Sequence, residues 1–365
     1  MKKRIFVCTL AILGTLLCAC EDAKSVETTA DVIITTAPVE TTTAVTTTAP
    51  IETTVVTTTA PIETTAITTT APVEESPVSD FEYEENENGG ITITRYIGKD
   101  TIVVIPAAMD GKNVTEIGNG AFIWNKRIVS VKIPDTVTTI GNRAFWECLS
   151  LIEVVLSRSL ESIGFSAFRD CASLSEIVLP DTLTQIHSSA FENCTSLKHI
   201  HIPMSLADWD DCAFRNSGIE TIDFEEGLEI IGNTAFAGTN IKNVVLPQSV
   251  KTIESQAFAG CSNLESVTLN EGLVTIDALA FSGATKLTEI VIPKTVQNIT
   301  ERAFSACSAL EKVFFEGNAP KFYIEEDSVF GGTFAAFNVH YTIYYHSNAE
   351  GFTAPTWNGY RTEIW

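Results

Sequence analysis

From residue 81 onward, apolar residues fall in short runs that return at a fixed interval. One unit begins at Leu174, continues through Ile177, Leu179 and Pro180, then Leu183 and Ile186, and ends on Ala190-Phe191. Ile177 and Leu179 are two residues apart, so they share one face of a strand while Glu176 and Val178 point the other way. Pro180 lacks the amide a ladder needs, so the strand stops there. A second apolar pair follows, as at Val137 and Ile140, and then Gly141 and Ala144-Phe145. The glycine is expected to take a positive φ at a corner, and the phenylalanine to plug the core between coils.

Ala-Phe recurs in register at Ala121, Ala144, Ala167, Ala190, Ala213, Ala235, Ala257, Ala280 and Ala303, every 22 or 23 residues. The two short intervals end at Ala235 and Ala257, and the turns within them carry Ser217-Gly218 and Thr239-Asn240. A turn absorbs a missing residue without shifting the core. One coil cannot bury its own apolar face, but stacked coils can, at ~4.8 Å per coil. The spacing predicts a leucine-rich-repeat solenoid, with a parallel β-sheet on one face and irregular or short helical turns on the other.

Three marks sharpen this: Ile/Leu-Pro after the strand, Ile-Gly before Ala-Phe, and Cys three residues after the Phe. With them the chain resembles the BspA-like leucine-rich repeats of bacterial surface proteins. Gly89-Gly90-Ile91 through Ile117-Gly118 looks like that family's opening coil, and Phe352 through Tyr360 like a recurrent ending. The resemblance implies adhesion or binding at a cell surface, to host matrix proteins or other microbes. It carries no catalytic residues and no fixed binding motif.

The N-terminus is of a different kind. Lys2, Lys3 and Arg4 precede an apolar run from Ile5 to Leu17 that is too short to span a bilayer and fits a signal peptide. Leu17-Cys18-Ala19-Cys20 resembles a bacterial lipobox with Cys20 as the acylated residue; an ordinary signal with an incidental cysteine is the alternative. From Glu27 to Glu74 there are 20 Thr in 48 residues, and Ala-Pro-(Val/Ile)-Glu recurs at Ala37, Ala49, Ala60 and Ala71. Repeated proline blocks ladder pairing, so this segment reads as an extended stalk open to O-glycosylation. As a coil it would average about 40 Å end to end, and roughly 190 Å fully stretched. The expected organisation is a signal over 1–19, a lipid-anchored Thr/Pro-rich linker over 20–80, and the solenoid over 81–365 with an aromatic C-terminal cap.

A formal charge of −23 opposes nucleic acid and an anionic bilayer, leaving the lipid anchor as the membrane contact. Of nine cysteines, Cys8 and Cys18 leave with the signal and Cys20 is the anchor. Cys148, Cys171, Cys194, Cys261 and Cys307 share a column that elsewhere holds Asn125, Ser217, Thr239 and Ala284. That slot asks for a small buried group, which a free thiol supplies; Cys212 stands outside the column, and disulfides remain the alternative. No Gly-x-Ser-x-Gly, His-Glu-x-x-His or phosphate-loop pattern occurs. No enzyme, cofactor or metal site is therefore expected.

Outward strand positions vary from coil to coil, and the centre differs most. His199 and His201 share a face, Asp223 lies one strand away, and Val178 and Val245 flank them. These residues form the candidate ligand patch, with a protein as the expected partner and, as alternatives, a glycan on the same face or a structural coat protein with no defined ligand; the same residues also fit an ordinary solvated face. Two His and a carboxylate can hold a divalent ion. Asp208-Trp209-Asp210-Asp211 breaks the repeat, so Trp209 is either a ligand contact or a filler of the Ile slot. His187, His340 and His346 show no obvious partners in the sequence.

Overall fold

The computed structural model describes residues 74–206, 208–322, 341–357 and 360–365, and only the backbone of 208, 209, 321 and 322. Cys20, the signal and the linker up to residue 73 lie outside the described residues. The repeats wind into a β-solenoid of about 11 turns.

Each coil contributes a strand to one face. The strands Ser130–Lys132, Glu153–Val155 and Glu176–Ile177 pair in parallel, as do His199–Ile202 with Thr221–Phe224 and Asn243–Val245 with Ser266–Thr268. Val131, Val154, Ile177 and Ile200 are buried along this ladder. Inward residues of successive coils meet because parallel partners in register point the same way.

Opposite the sheet the structure differs from the sequence expectation. The second apolar pair forms its own parallel ladder of two-residue strands, among them Thr139–Ile140, Ser162–Ile163 and Gln185–Ile186. Helix is almost absent: among the described residues there is the 3-10 turn Val78–Asp80. The physical reason is satisfaction of backbone groups, which every coil can achieve against its neighbours wherever it runs extended.

The Ala-Phe turn adds a third seam. Arg143 N donates to Phe165 O at 2.8 Å, Phe145 N to Ala167 O at 2.7 Å, and Glu147 N to Arg169 O at 2.9 Å. Alternate amides reach the next coil because the turn holds two left-handed residues, such as Arg143 (φ 55°) and Glu147 (φ 56°), or Ser166 (φ 53°) and Asp170 (φ 61°). This corrects the role expected for Gly141. It is not among the positive-φ residues. A Cβ on Gly141 would lie 2.9 Å from Asn119 N, and one on Gly164 2.7 Å from Asn142 N. These glycines serve close backbone approach between coils, and the left-handed corner falls two residues later.

The phenylalanines stack into a spine. Ring centroids from Phe122 through Phe145, Phe168, Phe191, Phe214, Phe236, Phe258, Phe281 and Phe304 are 4.7–5.7 Å apart, and their planes lie within 13° of parallel. Beside the spine runs the cysteine column. Cys148, Cys171, Cys194, Cys261 and Cys307 are free and buried. Each thiol donates to the carbonyl of the Phe one coil back: Phe122, Phe145, Phe168, Phe236 and Phe281, at 3.1–3.2 Å. Thr239 fills the same slot but donates to Phe236 O of its own coil, three residues back, at 2.8 Å. Burial pushes the Cys261 thiol up to about 11 and Cys307 up to about 12.

Antiparallel pairs close both ends. Phe81–Glu85 folds on Ile91–Tyr96, and Thr356–Trp357 on Tyr360–Ile364. Tyr341, Tyr345 and Trp357 are buried in the last coils, whereas Tyr344 points outward and stacks on Phe314 at 4.8 Å.

Two tests follow from the core. Phe236 is 0% exposed, so Phe236→Ala should lower stability by ~3–5 kcal/mol in a denaturant melt, with a broadened transition. The raised thiols favour the protonated form in the folded state. Their contribution is present below the unfolded thiol value of ~8.5 and is lost as pH rises toward the folded values. Melts at pH ~8 and ~10.5 should show this loss, and Cys261→Thr with Cys307→Thr should shrink it.

Candidate binding face

The outward side chains of the strand face form a row in which Val155, Val178, Val245 and Val291 are exposed, Val178 at 69% and Val245 at 65%. Ladder hydrogen bonding along the face is interrupted after Glu176–Ile177, after Thr221–Phe224 and after Ser266–Thr268. His199–Ile202 and Thr221–Phe224 thus form a two-stranded block of their own. Depressions lie on both sides of the histidine strand. One, of about 340 Å³, is lined by Val155, Arg158, Val178 and Pro180. The other, of about 440 Å³, is lined by Thr221, Asp223, Lys242, Asn243 and Val245.

The histidines pair with different carboxylates. His199 stands opposite Thr221, with Nδ1 2.9 Å from Oγ1, and its Nε2 is 3.6 Å from Asp223 Oδ2. His201 stands opposite Asp223 in register, yet its Nε2 turns to Glu225 Oε1 at 3.1 Å. Glu225 also accepts the Met204 amide at 2.8 Å. That amide, and then His201, hold its carboxyl below the usual carboxylate range. Among the described residues no three His, Cys, Asp or Glu side chains come together to hold a metal ion.

Glu220 bridges Lys198 at 3.4 Å and Lys242 at 3.0 Å across three coils, and those two lysines lower its pKa, Lys242 first. Neither Glu225 nor Glu220 was marked by the repeat pattern. Both sit where a strand meets its turns, and the alternation of outward positions does not reach them.

Asp208–Trp209 pairs with the second ladder, Trp209 standing in register with Ile186. Trp209 therefore takes the backbone position of a core isoleucine, away from the strand that carries His199; its side chain lies outside the described residues. Two histidines left without partners in the sequence reading have them. His187 Nδ1 is 2.8 Å from Asp210 Oδ2 on the neighbouring coil, and His346 stacks on Trp365 at 4.9 Å. His340 lies outside the described residues.

The model of the BspA type leucine rich repeat region matches residues 115–239 and 229–344, in six copies. The chain belongs to this BspA type leucine rich repeat family. A leucine-rich repeat protein from Bacteroides ovatus shares the fold at 22% identity, over 80% of this chain and 90% of that one, with a TM-score of 0.56. The T. pallidum leucine rich repeat protein is 31% identical over 59% of this chain and 91% of its own, with a TM-score of 0.47. A leucine rich cell surface protein from Faecalibacterium prausnitzii is 22% identical over 80% and 99%, with a TM-score of 0.43. No curated protein matches the chain. Leucine-rich-repeat solenoids are typically non-enzymatic binding modules, and the family is compatible with a non-catalytic binding role.

Glu225 ties the end of one face strand to the turn of the coil before it. Its depressed pKa makes this contribution present above the unfolded carboxyl value of ~4.3 and lost as pH falls through the folded value. Glu225→Ala should speed hydrogen exchange at the Met204 amide at neutral pH without changing the β signal in circular dichroism, and wild type should lose that protection in acid.

Proposed function

We propose that the chain is a lipid-anchored bacterial surface protein that binds a partner protein through the strand face and catalyses no reaction. The observation that carries this reading is the division of labour within each strand. Inward positions are held to apolar residues, most of them buried Val, Ile and Leu and a few, such as Ile222, Phe224 and Val267, half-buried, whereas outward positions change from Glu and Val to His, Thr, Asp, Lys and Phe along the same face. Solenoids recognise partners through such stacked surfaces. Exposed Val178 and Val245 supply apolar anchors beside depressions, with the polar His199, His201 and Asp223 between them. Interface energy concentrates in a few central residues of this kind. The anchor rests on Leu17, Ala19 and Cys20, and the Thr-rich linker supplies the reach from envelope to partner.

Replacing His199, His201 and Asp223 together by Ala should weaken capture on immobilised matrix proteins at least ~10-fold, about 1.4 kcal/mol, with the fold intact. Gln256, exposed on a turn, serves as the control, and its change to Asn should do little. Equal affinity of the triple variant and wild type would place the contact elsewhere. For the anchor, mass spectrometry of the mature N-terminus should find acyl chains on Cys20, and Cys20→Ser should abolish them.

A further inference from the structure

The turn seam carries a feature that the repeat does not require. Two residues after each spine Phe stands a left-handed position, filled by Glu147, Asp170, Asn193, Asn216, Gly238, Gly260, Gly283 and Ala306. In the first of these coils the same position holds Trp124, at φ 59° and 57% exposed. A left-handed backbone disfavours large side chains, and water disfavours an open indole. Nothing in the core gains from this ring, since the spine continues beneath it through Phe122 and Phe145.

Trp124 has a companion. Its amide donates to Trp146 O at 2.8 Å, and the two ring systems lie 5.9 Å apart, inclined at 47°. Trp146 is fixed from behind. Its Nε1 donates to Asp170 Oδ2 at 3.0 Å, and the Arg143 guanidinium sits 5.2 Å from the ring and 5.9 Å from Phe165. Asp170 is held in turn by the Asn193 amide at 2.7 Å. A ring set in place this way loses little freedom when something stacks on it.

We infer that Trp124 and Trp146 form a stacking site for a glycan chain, each indole taking one of two neighbouring pyranose rings. One face of a pyranose presents C–H groups of slight positive charge, and an aromatic face is its electrostatic complement. The ring spacing is close to the length of one hexose unit. The inclination suits a single chain that twists between units, and a flat array of chains would meet one indole and miss the other. Around the rings, Arg143 and Arg169 stand among Glu147, Asp170 and Glu192, with Arg169 3.4 Å from Asp170 and 3.5 Å from Glu192. That mixture of donors and acceptors of both signs fits sugar hydroxyls better than a polymer of one charge. The site lies on the turn seam, apart from the strand face, and does not depend on what that face binds.

The test uses the full chain with amylose, laminarin, mannan and galactan, read by affinity electrophoresis and tryptophan fluorescence. At least one polysaccharide should retard wild type, and Trp124→Gly and Trp146→Ala should each weaken retention at least ~10-fold. The His199, His201 and Asp223 triple variant should bind the polysaccharide as wild type does. Glycine accepts the left-handed backbone, so Trp124→Gly should melt at or above the wild-type temperature. Retention unchanged by either Trp variant, no retention of wild type by any of the four, or binding of a proline-rich peptide in their place would overturn the inference. A lowered melting temperature for Trp124→Gly would overturn it as well, by showing the ring to be structural.

Discussion

Every coil leaves two edges of unpaired backbone, and the molecule exists because the next coil satisfies one of them along up to three lines. The Ala-Phe seam joins each coil to the next, and the strand face and the two-residue ladder add to it in blocks, with breaks after Glu176–Ile177, Asp208–Trp209, Thr221–Phe224 and Ser266–Thr268. The side chains obey this constraint. Phe rings stack at 4.7–5.7 Å because ladders impose a strand spacing of ~4.8 Å on whatever lies between them. Alanine precedes each Phe where a neighbouring backbone passes. The thiol column completes the arrangement, giving Phe carbonyls a second donor beside the amide three residues on.

Core and surface are thereby uncoupled. Changing Val178 alters nothing in the spine or the ladders, and changing His199 costs only an exposed side-chain contact to Thr221 on the next coil, since both point away from the spine. The turn seam has a similar freedom at its left-handed positions, which is how Trp124 can stand where Gly238 or Asn193 serves elsewhere. Stability resides in the repeated residues and recognition in the unrepeated ones.

That separation also explains what could be read from the sequence. Ala-Phe, Leu174-x-x-Ile177-x-Leu179 and the Pro after it state the coil, its strand and its core directly, because those contacts recur at one interval. The outward row was legible for the same reason, by alternation. The second ladder was less so: two residues such as Gln185 and Ile186 are too short for period to distinguish strand from turn. Gly141 was misread because a glycine required for close approach and one required for positive φ look alike until the neighbouring coil is in place. The His187–Asp210, His201–Glu225 and Trp124–Trp146 pairs join residues 22–24 apart. Sequence places them on adjacent coils, but side-chain direction decides whether they meet.

The uniform interface between coils has a genetic consequence. Any coil presents to the next nearly the same Phe, Ala and ladder edges that its neighbours present. An in-frame duplication or loss of one 23-residue unit, of the kind produced by unequal crossing-over between similar DNA repeats, would create a junction already satisfied elsewhere in the chain. Such an event would lengthen or shorten the solenoid and bring new outward residues side by side without new core chemistry. Only the closing pairs at Phe81–Glu85 and Tyr360–Ile364 must stay at the ends.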